Sequence, residues 1–184
     1  MRAAVLVRYA DLHAQDWANG LGTTTELVGW DSGPDWRLSV ARLDGPAPFS
    51  PLPGVDRTFL PVDADVELSI DHRDTVVRAG QLCRFAGEAA VSLGRLQAAS
   101  AHAVNLMVRR RGGRSGPVLA VTDDADARCS ESIAAVALAA RDDVGRFDLL
   151  RLTSPNPVGQ PLPVALLLPT SGGLHQESGS AAPK

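Results

Sequence analysis

The chain has 184 residues, 45% of them hydrophobic, and a formal net charge of -3. That apolar content supports one packed domain. The acidic balance gives a nucleic-acid partner no support, and no uninterrupted apolar run reaches the roughly 18 residues that span a bilayer.

Ala3 to Tyr9 predicts a first β-strand, and its apolar centre of about five residues is too short for a signal peptide. The expected location is therefore cytoplasmic, with no membrane partner. Asp11 to Trp17 reads as a helical turn, because Asp11 stands where an acidic cap is favoured. Short apolar segments cut by Gly, Pro, Asp and Asn then follow one another. The predicted strands are 24–30, 36–42, 57–61, 66–70, 75–78, 82–85, 91–93, 103–111, 117–121, 135–140, 147–152 and 164–168. So many short strands at this spacing predict an all-β sandwich or barrel.

Two strands alternate clearly. Val66-Glu67-Leu68-Ser69-Ile70 places its apolar side chains on one face. Trp36-Arg37-Leu38-Ser39-Val40 sends Arg37 and Ser39 to the face opposite Trp36, Leu38 and Val40, where they line a cavity or meet water. Asp71-His72-Arg73-Asp74 reads as a hairpin connector. Ser130 to Ala140 has helix-capping residues first and strand-like residues second, and the second half reads as strand. From Gly172 onward the chain is Gly, Ser, Ala, Pro and Gln without a core pattern, which predicts a disordered tail over 172–184.

The chemistry concentrates in the first third. Trp17-Ala18-Asn19-Gly20-Leu21-Gly22-Thr23-Thr24-Thr25-Glu26 is either a hairpin turn leading into a strand or a loop whose glycines admit a ligand while Asn19 and Glu26 bond to it. It lacks the GK[ST] ending of a phosphate loop. Pro46 to Gly54 contains four prolines, which restrict φ and hold Phe49 and Ser50 in place. Arg37 and Arg57 are candidate carboxylate anchors, since a guanidinium offers paired donors in matching geometry. Asp56 beside Arg57 either fixes that guanidinium, accepts a proton, or forms a surface pair worth about 0–1 kcal/mol. Asn105 interrupts an apolar strand and needs hydrogen-bond partners, as a structural tie or a pocket residue.

Other features point to bland roles. Arg109-Arg110-Arg111 with Arg114 reads as a solvated strand end and hairpin. Cys83 and Cys129 lack metal-type spacing, and His13, His72, His102 and His175 form no local ligand cluster, so no metal and no cofactor is expected.

The ordered set Trp17-x-Asn19-Gly20-x-Gly22-x-Thr24-x-Glu26, Asp35-Trp36-Arg37-Leu38-Ser39-x-Ala41, Gly45-Pro46 with Phe49-Ser50, and Pro53-Gly54-x-Asp56-Arg57-Thr58 resembles the HutD/Ves family of cupin-like proteins. Phe85-x-Gly87 and Asn105-x-Met107 are weaker matches, and the resemblance covers about residues 3 to 125. Ala47-Pro48 lengthens a loop relative to the family pattern, and Ala103 stands where the family has Asp. The resemblance implies a cupin-type (RmlC-like) β-sandwich over 1–171, with two related barrel-like halves, about 1–110 and 111–171, packed in bicupin fashion. It also implies a link to histidine utilisation and a small acidic metabolite, such as formylglutamate, as ligand.

Together these readings describe a metal-free binding protein with a regulatory or sensing role. Arg37 and Arg57 would meet the carboxylate, and Asn19 and Ser39 would supply neutral bonds. Glu26 would accept from a ligand amide or amine, and Trp17 and Phe49 would wall the pocket. Two other classes compete. One is a cofactor-free isomerase, lyase or hydrolase with Glu26 or Asp56 as general base. The other is a non-catalytic scaffold whose sheet edges pair two copies as a homodimer.

Overall fold

The apolar alternation read from the sequence becomes three antiparallel sheets. The structure, a computed structural model, describes residues 2–111, 116–123, 132–154 and 162–170. In chain order the strands are β1 (Arg2–Val7), β2 (Ala14–Asp16), β3 (Gly22–Val28), β4 (Trp36–Leu43), β5 (Val55–Pro61), β6 (Val66–Ile70) and β7 (Arg73–Val77). They continue as β8 (Cys83–Ala86), β9 (Val91–Leu96), β10 (Ala101–Arg109), β11 (Val118–Thr122), β12 (Ala134–Ala137), β13 (Leu149–Ser154) and β14 (Val164–Leu168). Short 3-10 turns cover Tyr9–Asp11 and Trp30–Ser32. Among the described residues no helix is long and apolar enough to cross a membrane.

The sheets have the orders β2-β3-β4-β10-β5-β8, β7-β6-β9 and β1-β13-β12-β14-β11. The six-stranded sheet is the middle layer. One of its faces presents Leu38, Val40, Leu60, Val104 and Leu106 to Leu119, Val136, Leu149 and Leu167 of the five-stranded sheet. Fully burying each of these side chains contributes about 1.5–3 kcal/mol before the entropy cost of ordering them. Its other face presents Ala41, Leu43, Phe59, Ala101 and Ala103 to Val66, Leu68, Val77, Val91 and Leu93 of the small sheet. Asp63, between β5 and β6, meets the His102 ring at 2.7 Å and pairs with Arg146 at 3.1 Å. Desolvation alone would raise the Asp63 pKa, but these two partners hold it below the ordinary carboxylate value.

Several expectations need revision. The segment Asp11 to Trp17 is not a helical turn throughout. Its 3-10 turn ends at Asp11, and Ala14–Asp16 pairs with Thr23–Thr25 as an edge strand. The hairpin at Asp71-His72 is tighter than the four-residue connector expected, because Ile70 already pairs with Arg73. Both turn residues take positive φ (49° and 66°), the geometry that matches the twist of a two-residue hairpin. The five-stranded sheet is not built from 111–171 alone, since β1 pairs with β13. Ser130, Arg114, Cys129, His175 and the tail from Gly172 lie outside the described residues.

Candidate functional site

The small sheet covers only part of the middle sheet's second face. Where that face continues, apolar side chains give way to polar ones, and a hollow of about 440 Å³ opens. Strand register assembles its floor. Arg37, Met107 and Arg57 stand side by side on β4, β10 and β5. Ser39, Asn105 and Phe59 form the next row along the same strands. Three of these lie in strand interiors as polar residues, yet Ser39 is 1%, Asn105 6% and Arg57 9% exposed.

Arg57 is the most unusual group. Its guanidinium lies over the rings of both Phe49 and Phe85, at 4.9 and 5.3 Å from their centroids. Nη1 donates to the Ser50 carbonyl at 3.2 Å, while the buried Nε has no hydrogen-bond partner among the described residues. Among the described residues no carboxylate pairs with it. Burial, and then the charge of Arg37, push its pKa down to about 10. A buried donor left unbonded costs about 1–3 kcal/mol, and an entering anion would remove that cost.

Arg37 is less buried. Its Nε donates to Glu26 Oε2, and Nη1 lies 3.8 Å from Met107 Sδ. The thioether thus sits beside the guanidinium rather than a second acid. Glu26 pairs in register with Ser39 and reaches Arg37 diagonally. A register shift between Glu26 and Val28 bends the strand there. Gly29 completes the seat, since a Cβ on it would collide with Glu26 Oε1.

The walls come from two loops. Trp17 Nε1 donates to Thr24 Oγ1 at 2.8 Å, and the ring lies over Gly22, where a Cβ would stand 3.0 Å from ring carbons and inside contact with the Arg42 carbonyl. Asn19 Oδ1 accepts from the Leu21 amide at 3.0 Å, and Gly20 takes φ 68° to close the turn. On the other side, Phe49 N donates to the Val91 carbonyl and Leu93 N to the Ala47 carbonyl, both at 2.8 Å. The lengthened Ala47-Pro48 loop is therefore tied to β9, with Phe49 packed on Phe59 and Phe85.

Of the eleven residues nominated from sequence, Trp17, Asn19, Arg37, Ser39, Phe49, Ser50, Arg57 and Asn105 line the hollow, whereas Gly20, Glu26 and Asp56 do not. Gly20 shapes a turn instead. Glu26 is occupied by Arg37 and is 43% exposed. Strand alternation sends Asp56 to the opposite face from Arg57, where it pairs with Arg110 at 2.8 Å. Asp56 therefore neither fixes Arg57 nor faces the hollow. Asn105 Nδ2 makes one long bond, 3.5 Å, to the Ala103 carbonyl, leaving the amide turned to the cavity.

Sequence reading missed Gln15, Asp16, Thr24 and Met107, which also line the hollow, and Phe85, which covers Arg57. Met107 was discoverable, because it lies two residues from Asn105 on one strand face. Gln15 was hidden in the segment read as helical. The arginine cluster is spent on structure: Arg109 stacks over Trp30 at 4.3 Å, Arg110 pairs with Asp56 and Glu88, and Arg111 meets Asp35 at 3.1 Å. Cys83 is half-buried, and burial raises its pKa, which keeps it a thiol. Among the described residues no three His, Cys, Asp or Glu side chains gather to hold a metal.

Layered antiparallel sheets with a polar hollow on one face define a cupin-like β-sandwich. The sequence profile of the HutD family matches residues 9–149. The chain belongs to the HutD family, a family named for histidine utilisation. Its fold is similar to that of HutD from Pseudomonas fluorescens SBW25 (formate condition), with a TM-score of 0.63 at 19% identity over 92% of this chain and 100% of that one. A conserved protein of unknown function from Pseudomonas aeruginosa PAO1 gives 0.56 at 21% identity, over 92% of each chain. A predicted oxalate decarboxylase from Thermotoga maritima gives 0.51 at 11% identity, over 57% of this chain and 99% of that one. No curated protein matches the sequence.

Proposed function

We propose that this protein binds a small organic acid in the hollow and acts as a sensing component of histidine utilisation in the cytoplasm. The observation that carries the reading is Arg57: a buried cation on the floor of a cavity that, among the described residues, has no counter-ion and no partner for its Nε. A carboxylate supplies both the missing charge and the missing acceptors. Arg37, Ser39 and Asn105 stand within the same two register rows and extend the polar surface that such a ligand would meet. Trp17, Phe49 and Phe59 supply apolar wall for its carbon chain. Formylglutamate fits this chemical class, with two carboxylates and an amide on a short chain.

The enzyme reading loses its nominated bases, because Glu26 is held by Arg37 and Asp56 faces away. The scaffold reading expects a filled or shallow cleft, and a hollow of about 440 Å³ favours the binding reading over it. Isothermal titration with formylglutamate, glutamate, histidine and urocanate tests the proposal. Heat is expected for the free acids with short chains. A folded sample that binds none of them overturns it.

A further inference from the structure

The two cations of the hollow are not equivalent. Arg57 has no counter-ion among the described residues, whereas Arg37 already holds Glu26. The Glu26 carboxylate is positioned by local structure. It comes from the residue where the β3 register shifts, reaches diagonally past Ser39, and occupies space that a side chain on Gly29 would fill. It is also 43% exposed, against 19% for Arg37. Releasing it into water therefore breaks one ion pair without burying a bare carboxylate. The far carboxylate of a diacid anchored on Arg57 could replace Glu26 on Arg37, because Met107 alone separates the two arginines in the register row. Neighbouring strands lie about 4.8 Å apart, so the two Cα atoms are roughly 10 Å apart and the long side chains can converge on a short ligand.

We infer that Glu26 is a displaceable internal counter-ion that sets which acids the hollow accepts. A monocarboxylate takes Arg57 and leaves the Glu26–Arg37 pair in place. A short dicarboxylate takes both arginines and must evict Glu26. The residue thus acts as a competitor of the second carboxylate and lowers the affinity for diacids selectively. This inference rests on the proposed acid-binding role of the hollow.

Matched ligands separate the two ideas. Glutarate and pentanoate share a five-carbon chain and differ in the second carboxylate. Titration calorimetry with wild type, Glu26→Gln and Gly29→Ala is the experiment. Glu26→Gln keeps the shape and removes the competing charge. Gly29→Ala keeps the charge and forces the carboxylate from its seat. Both variants should tighten glutarate by about fivefold, the upper size of a partly exposed charge contact, and change pentanoate by less than twofold. Thermal unfolding of each variant establishes that it is folded. If both acids bind wild type and neither substitution alters their ratio, Glu26 is no competitor and the inference fails while the binding role stands. If neither acid binds any of the three proteins, the acid-binding role fails and takes the inference with it.

Discussion

Arg37 and Arg57 occupy one register row of the middle sheet, on either side of Met107, and meet opposite electrostatic fates. Arg37 is neutralised at the rim by Glu26, while Arg57 is buried against two phenyl rings with its Nε unbonded among the described residues. A protein selected for stability alone would avoid the second arrangement. Charge buried without a partner marks a site whose partner comes from outside.

Replacing Arg57 should separate binding from stability. Its pKa is pushed down to about 10, below the ordinary guanidinium value, so the folded protein holds that proton less tightly than the unfolded chain does. The charged group opposes folding at neutral pH by up to about 3 kcal/mol, less what the flanking rings return. The penalty fades as pH rises through about 10 toward the ordinary guanidinium value. Arg57→Met is expected to unfold at a temperature no lower than wild type while losing at least about a hundredfold in acid affinity. A clear drop in unfolding temperature would show that the guanidinium is a structural tie.

Trp17 should report occupancy. Its ring walls the hollow, and its indole N–H is fixed by Thr24. Ligand addition is expected to change tryptophan fluorescence, and the change should vanish in Trp17→Phe, although Trp30 and Trp36 remain. A signal that persists in that variant places the ligand elsewhere.

Gly22→Ala should damage the same wall through packing. The added methyl collides with the Arg42 carbonyl and the Trp17 ring. Backbone cannot yield as a flexible side chain can, so a loss of about 1–3 kcal/mol is expected in denaturant unfolding. A variant as stable as wild type would show that the turn shifts freely.

Glu88 governs the loop that carries Ser50 to Gly54. Its carboxylate accepts from Arg110 and from the Gly54 amide at 2.6 Å, and these bonds, Arg110 first, lower its pKa to about 2. The support it gives is complete above the ordinary 4.5 and is lost as pH falls toward 2. An NMR titration of Glu88 should find its midpoint well below the free value, and Glu88→Gln should speed hydrogen exchange at the Gly54 amide. A midpoint at the ordinary value would remove this clamp from the account.

What could be read in advance follows from the range of the interactions. The alternation of β4 sorted Arg37 and Ser39 from Leu38 and Val40 because side-chain direction is local. The motif residues Trp17, Phe49 and Arg57 were visible for the same reason, as types in an ordered pattern. β2 was not, because three exposed residues carry no apolar rhythm, and β3 alone makes them a strand. The fate of Glu26 depends on a register shift and on the empty space at Gly29, neither of which leaves a local mark. The division into three sheets rests on pairings such as β1 with β13, which join opposite ends of the chain.

Ligand binding turns on one nitrogen atom, Arg57 Nε, and a crystal structure of the protein soaked with glutarate tests it. A carboxylate oxygen is expected within hydrogen-bond distance of Arg57 Nε, on the floor shared with Met107 and Asn105. Glutarate bound at another surface, with the hollow holding only water and Arg57 Nε bonded to none of it, would contradict the account.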